Sequence, residues 1–204
     1  MSKIATACLI LGLLLSGIAY TAGPASAGRP VLQVLTPSPP DYLTCKAAGN
    51  GTICQGSQLL TITLEDTGVT CGAGPAAFNI FDSSTDDYSV IWFYDSDGNL
   101  VRLITHALFR GAWSNPLTGA MAPYKQYNVM TGVLAVPGDL ASSAETQTGE
   151  VIMRAGPGAP VLIATGRQVF SSDGELISSA GRNAFVAAIE GDTTAFDAVC
   201  TALG

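Results

Sequence analysis

The chain has 204 residues and a formal net charge of −7, with 16 acidic side chains against nine lysines and arginines. This length gives room for one medium-sized domain with its own core. An acidic surface repels phosphate backbones, which argues against nucleic acid as a partner.

The N-terminal residues predict a secretory signal peptide at 1–27. Lys3 supplies a positive charge, residues 4–20 form an apolar run, and Ala25-Ser26-Ala27 has the small-x-small pattern of a cleavage site. An uncleaved membrane anchor is the alternative reading of the apolar run.

After cleavage, we expect a single β-rich domain at 28–204 that starts with a proline-rich segment at 28–44. Such a chain is predicted to be secreted or extracytoplasmic, to have no membrane association and to be a monomer.

Four cysteines remain in the domain: Cys45, Cys54, Cys71 and Cys200. An even number in an exported chain predicts two disulfides. We favour a local bond between Cys45 and Cys54 and a long closure between Cys71 and Cys200. The chain has one histidine and no Cys-x-x-Cys pair, so no metal site is expected.

The first strand pattern lies at 59–64, where apolar side chains alternate with threonine. A second strand is expected at 78–81, followed by a polar loop at 82–87.

The segment from Tyr88 to Arg110 predicts the central hairpin of the fold. A two-residue turn at Asp97-Gly98 sets the register, because glycine tolerates the positive φ of such turns. The predicted cross-strand pairs are Tyr94 with Val101, Trp92 with Leu103, Val90 with Thr105, and Ser89 with His106.

This hairpin has two different faces. The largely apolar face is predicted to be core, and its members are Val90, Trp92, Tyr94, Val101, Leu103, Thr105, Ala107 and Phe109. The opposite face carries a cationic row of Arg102, His106 and Arg110 between apolar side chains. Residues 100–110 also fit helical spacing, but their β-branched content and the turn before them favour a strand.

Glycine-rich turns separate the strand-length runs that follow the hairpin. These runs are 124–129, 132–136, 150–155, 161–165, 167–170, 175–179 and 182–187. Residues 141–148 are small and polar, and we expect a mobile loop there. The even spacing predicts an all-β fold, an antiparallel meander that forms a small barrel or sandwich.

The C-terminus changes to a helical period. Phe196, Val199, Cys200 and Leu203 recur at helical spacing, which predicts a short amphipathic helix tied to the sheet by a disulfide. Asp192 or Thr193 is the expected cap.

Several of these features occur together in one known group of proteins. They are the signal peptide, Cys71 ahead of a phenylalanine-containing strand, the turn Asp97-Gly98-Asn99-Leu100, the loop Asn115–Gly119, the pairs Gly166-Arg167 and Gly181-Arg182, and the C-terminal segment 197–203. In this order they resemble uncharacterised exported proteins of actinobacterial type. The resemblance implies export and a β-rich fold, and it supplies no catalytic residues.

The hairpin turn from Asp95 to Asn99 does not match a calcium-binding EF-hand loop, because its glycine is at position 4 rather than 6 and His106 stands at position 12. A weak calcium site of another kind would use loop acids, namely Asp82, Asp86, Asp87, Asp95 or Asp97.

The sequence predicts no catalytic residue and no cofactor. A catalytic triad would have to use His106, the only histidine, and the chain has no Gly-x-Ser-x-Gly elbow. Two-carboxylate hydrolysis stays open, because carboxylate spacing is not readable from sequence.

The leading hypothesis is a secreted, non-enzymatic β-domain that binds a small ligand or a partner outside the cell. Arg102, His106 and Arg110 are its candidate binding residues, and an anionic, partly apolar partner would fit them. The alternatives are an extracellular hydrolase that uses paired carboxylates or His106, and a structural protein of the cell envelope.

Overall fold

A computed structural model of the protein describes residues 33–154, 160–189 and 194–204. The strands are β1 (Thr44–Ala48), β2 (Gly51–Cys71), β3 (Phe78–Tyr94), β4 (Leu100–Ser114), β5 (Met121–Leu134), β6 (Ser143–Arg154), β7 (Pro160–Phe170) and β8 (Leu176–Arg182). The helices are α1 (Ala184–Ile189) and α2 (Thr194–Leu203).

All eight strands belong to one sheet in sequence order, and each pairs antiparallel with the next. This confirms the predicted all-β meander with a helix at its C-terminal end. Among the described residues, no pairing joins β8 to β1, so the sheet is not closed by hydrogen bonds. The predicted signal peptide at 1–27 lies outside the described residues. None of the helices in the described part of the chain is long and apolar enough to cross a membrane.

The central hairpin is confirmed as β3 and β4, which excludes a helix at 100–110. Its turn differs from the prediction. Asp95 N–H donates to the Asn99 carbonyl at 2.9 Å, which leaves a three-residue turn with Gly98 at φ +84°.

A β-bulge after this turn changes only the first predicted pair. Tyr94 lies opposite Leu100, while Phe93 already lies opposite Arg102, so Val101 is the extra residue of the bulge. The other predicted pairs, Trp92 with Leu103, Val90 with Thr105 and Ser89 with His106, are confirmed.

The predicted polar loop at 82–87 is wrong, because β3 runs through it without interruption. Ser84 and Asp86 are both buried, and the Ser84 hydroxyl donates to the Asp86 carboxylate at 2.7 Å. These polar side chains satisfy each other inside the fold, so the strand does not need to become a solvent-exposed loop.

Four later predictions are also wrong. The runs at 124–129 and 132–136 belong to one strand, β5, and the runs at 161–165 and 167–170 belong to one strand, β7. The expected mobile loop at 141–148 is mostly strand β6, which pairs with β5 on one side and with β7 on the other. The expected strand at 182–187 gives way to helix α1. The Asn183 side chain accepts the Val186 backbone N–H at 3.3 Å, as a helix N-cap does.

Both predicted disulfides are confirmed. Cys45 and Cys54 join the directly paired strands β1 and β2, and Cys71 joins Cys200 across 129 residues of sequence. Two disulfides indicate an oxidising environment outside the cytoplasm. Helix α2 is confirmed as well, although its predicted caps, Asp192 and Thr193, lie outside the described residues.

The core has two clusters on the same face of the sheet. One surrounds α2 and includes Ile80, Trp113 and Met153, and the other includes Leu43 and Leu100 near the hairpin turn. We call the face that carries both clusters the inner face, and the opposite face the outer face.

The sheet is strongly curved, with the inner face concave. Helix α2 is bonded to β2 through Cys200 and also packs against β7. In a flat sheet these two strands would lie about 24 Å apart at ~4.8 Å per strand. Helix α2 has ten residues and is about 15 Å long at ~1.5 Å per residue, which is shorter than this separation. Its contacts with both strands therefore indicate that the sheet bends toward it.

Candidate functional site

The cationic row lies on the outer face of β4. Arg102 and Arg110 are exposed, and the Arg102 guanidinium lies 5.6 Å from the centre of the Phe93 ring. His106 is half-buried, and its Nδ1 lies 3.0 Å from the Tyr127 hydroxyl. The three side chains therefore share one surface, as strand alternation requires. Their role in ligand binding stays a prediction.

The outer face carries far more positive charge than this row. Nine lysines and arginines occur in the chain, and seven remain in the described residues once Lys3 and Arg29 are set aside. By strand register all seven lie on the outer face: Lys46, Arg102, Arg110, Lys125, Arg154, Arg167 and Arg182.

Acidic side chains are distributed in the opposite way. Of the 16 acids, all but Glu190 and Asp192 belong to the described residues, which leaves fourteen. Only Asp66, Asp87 and Glu150 lie on the outer face, so it has seven positive charges against three negative ones, a net of +4. Among the described residues, the other eleven acids and no lysine or arginine occupy the inner face, the loops and the helices. The chain is acidic, but one face of its sheet is basic.

Two cations of the outer face lie directly opposite each other. Arg110 on β4 pairs with Lys125 on β5, and both side chains are exposed. Like charges at directly opposite positions destabilise a sheet. Asp87 and Glu150 are on the same face one diagonal away, but within the described residues no ion pair joins either to this cationic pair.

Apolar side chains lie between the cations of the outer face. The exposed large ones that strand register places on this face are Leu59, Met121, Tyr127, Val133 and Ile163. The outer face therefore combines positive charge with apolar and aromatic surface, which suits an anionic partner that is not purely polar.

Two carboxyl groups of the inner face, those of Asp82 and Asp86, lie between the core clusters, and Glu65 on β2 lies directly opposite Asp82. The Tyr124 hydroxyl lies 3.1 Å from both oxygens of Asp82, and Asp86 accepts the Ser84 hydroxyl. Burial raises the pKa of Asp82 and of Asp86 above the ordinary carboxyl value. It also raises the pKa of Tyr124, so the phenol stays protonated and donates to Asp82.

These carboxyl groups give little support to a hydrolytic site. Asp86 is only 1% exposed, so no substrate reaches it in this structure. His106 lies on the opposite face of the sheet from Asp82 and Asp86, so these residues cannot form a triad.

The aspartates considered for calcium do not converge. Asp82 and Asp86 lie on the inner face, Asp87 on the outer face, and Asp95 accepts the backbone N–H groups of Asp97 and Asn99 within the turn. In the part of the chain that the structure describes, no three His, Cys, Asp or Glu side chains are grouped to hold a metal ion.

A cleft of about 580 Å³ lies between the last two strands and the helices. Its lining includes Leu162, Ser179, Arg182 and Val186. Neither Arg102, His106 nor Arg110 lines it, so the cleft and the cationic row are separate features.

Sequence reasoning found the row on β4 and missed its extension across the sheet. Lys125, Arg154 and Arg167 lie on neighbouring strands whose limits the prediction placed too short, and their common face follows only from the register. The signal was present in the sequence, since each of these residues occupies the position in its strand that alternates with inner-face side chains.

Comparison with known protein families, curated proteins and solved structures found no match.

Proposed function

We propose that this protein is a secreted, non-enzymatic binding domain that holds an anionic partner outside the cell on the outer face of its sheet. The segregation of charge supports the proposal: the outer face has a net charge of +4 in a chain of net charge −7. Such a face attracts anions even though the whole molecule does not.

The pair Arg110 and Lys125 adds a local reason. Two like charges opposite each other repel, and a bound anion between them relieves this repulsion. Arginine also binds carboxylate and phosphate groups through two parallel hydrogen bonds. The binding residues we propose are therefore Arg102, Arg110 and Lys125, with His106 beside them.

The two disulfides and the predicted signal peptide support a location outside the cytoplasm. An extracellular hydrolase and a structural cell-envelope protein stay predictions. The hydrolase would need an accessible pair of acids, and the burial of Asp86 speaks against the pair of Asp82 and Asp86.

The test compares two variants with the same net charge. In the first, Arg102→Gln, Arg110→Gln and Lys125→Gln remove three cations from the outer face. In the control, Asn50→Asp, Ser96→Asp and Ser172→Asp add three acids to exposed turns. Binding to immobilised dextran sulfate, with neutral dextran as the blank, is measured over a salt series.

We expect the first variant to lose most of its affinity and the control to stay close to the wild type. The slope of log K against log salt should fall by about 2 in the first variant, since each lost contact removes ~0.7 on a flexible polyanion. Equal weakening in both variants would show that net charge, not the outer face, governs binding, and the proposal would be wrong.

A further inference from the structure

We infer that the anionic partner is an acidic polysaccharide chain that lies across the convex outer face. This inference rests on the proposed function and names the class of partner. It depends on the spread of the cations, on the curvature of the sheet and on what lies between the charges.

The cations are too widely spread for one small anion. Arg102 and Arg110 are eight residues apart on β4, which is about 26 Å at ~3.3 Å per residue. Arg167 is three strands away from this row, about 14 Å at ~4.8 Å per strand. Of the seven cations only Arg182 lines the cleft beside the helices, and the others stand on open sheet. An extended ligand with repeated negative charges matches this layout.

The curvature of the sheet favours a flexible partner over a flat one. Because α2 reaches both β2 and β7 from the inside, the outer face is convex across these strands. A flat lipid bilayer would touch such a convex face along a narrow band rather than across all of its strands. A flexible polymer can follow the curve and contact cations on successive strands.

The side chains between the cations favour sugar units over bare phosphate. Tyr127 is 41% exposed, lies two residues from Lys125 on the same face, and stands opposite Leu108. A sugar ring presents an apolar C–H surface that packs on an aromatic ring, whereas a phosphate chain has none. The carboxylate of a sugar acid would thus pair with Lys125, and its ring would pack on Tyr127.

A second copy of the chain is a poor occupant. Two outer faces that meet in a symmetric dimer would each bring a net charge of +4 and repel each other. The partner must supply the negative charge.

The test measures binding of the whole exported chain to polygalacturonate, to digalacturonate, to neutral dextran, to polyphosphate and to vesicles with anionic phospholipid. We expect polygalacturonate to bind best, digalacturonate to bind far more weakly, and dextran not to bind. Tyr127→Ala should weaken polygalacturonate binding by about threefold to tenfold and leave polyphosphate binding unchanged. Tyr127→Phe is the matched control, because it keeps the ring and loses only the hydroxyl that contacts His106.

Each outcome separates this inference from the proposed function. If polyphosphate or vesicles bind through Arg102, Arg110 and Lys125 and polygalacturonate does not, the inference is overturned and the proposed function stands. The inference also fails if Tyr127→Ala weakens both polymers equally. If no probe distinguishes the wild type from the triple cation variant, both proposals fail.

Discussion

The two disulfides should contribute very differently to stability, because they close loops of different length. Cys71 and Cys200 are 129 residues apart, whereas Cys45 and Cys54 are nine apart. In the chain-entropy model the first closure restricts the unfolded chain by about 5 kcal/mol and the second by about 2.6 kcal/mol. Cys71→Ala with Cys200→Ala should therefore cost about twice as much as Cys45→Ala with Cys54→Ala.

Hydrogen bonds also hold α2 in the folded state, in addition to the disulfide. The side chains of Asn115 and Thr118 both donate to the carbonyl of Leu203, at 3.1 and 3.3 Å. Without the disulfide, these bonds and the packing of the helix on the inner face, which includes the stacking of Phe196 on Trp113, remain to hold it.

The assay is equilibrium unfolding in guanidinium chloride, followed by tryptophan fluorescence and by circular dichroism. Each double variant keeps the other disulfide, so the two variants serve as controls for each other. Equal losses, or a larger loss for the nine-residue loop, would contradict the reasoning from loop length. That result would mean that the contribution of each disulfide to stability is determined by the folded state rather than by the unfolded chain.

Two further predictions concern single residues. Burial raises the pKa of Asp86, so the folded state penalises its carboxylate once the pH exceeds both the folded and the unfolded pKa. Asp86→Asn should therefore raise the melting temperature at about pH 7 and not at about pH 3. The control is Asp87→Asn, which changes an exposed aspartate. An equal gain in the control, or a gain in Asp86→Asn that does not depend on pH, would contradict this. Gly98→Ala should lower stability by about 1–3 kcal/mol in urea unfolding, because Gly98 has φ +84° and an added Cβ would lie 2.3 Å from the Val34 carbonyl. Ser96→Ala in the same turn is its control, and equal losses would show that the φ of Gly98 is not the cause.

The hairpin shows why register is predictable even where turn geometry is not. A two-residue turn and a three-residue turn followed by a one-residue bulge give the same pairing from Phe93 and Arg102 onward. Strand alternation fixed the faces, since Val90, Ala107 and Phe109 must be buried together. The local sequence did not distinguish the two turns, because both place Gly98 at positive φ.

The errors at 82–87 and 141–148 have a common physical origin in polar residues that point inward. The polar composition around Asp82, Ser84 and Asp86 predicts a loop, but in the fold each of these side chains has a hydrogen-bond partner. The same holds for residues 141–148, where Gln147 donates to Glu145 at 2.6 Å within a central strand. A sequence does not show that such a partner will be present, either two residues along the same strand or on another strand, so polar strands in this sheet were read as loops.

The net charge of the chain was misleading for a related reason. A sum over all residues describes the potential far from the molecule, but a partner at the surface meets only one face. Strand alternation places the bases at Arg102, Arg110 and Lys125 on one side of the sheet, and Glu65, Asp82, Asp86 and Glu145 on the other side. These four acids are thus separated from the cations by the sheet itself, and seven further acids of the described residues lie in loops and in α2. The negative total charge of the chain therefore does not argue against the binding of a polyanion to the outer face. The three-cation variant and its equal-charge control measure this difference directly.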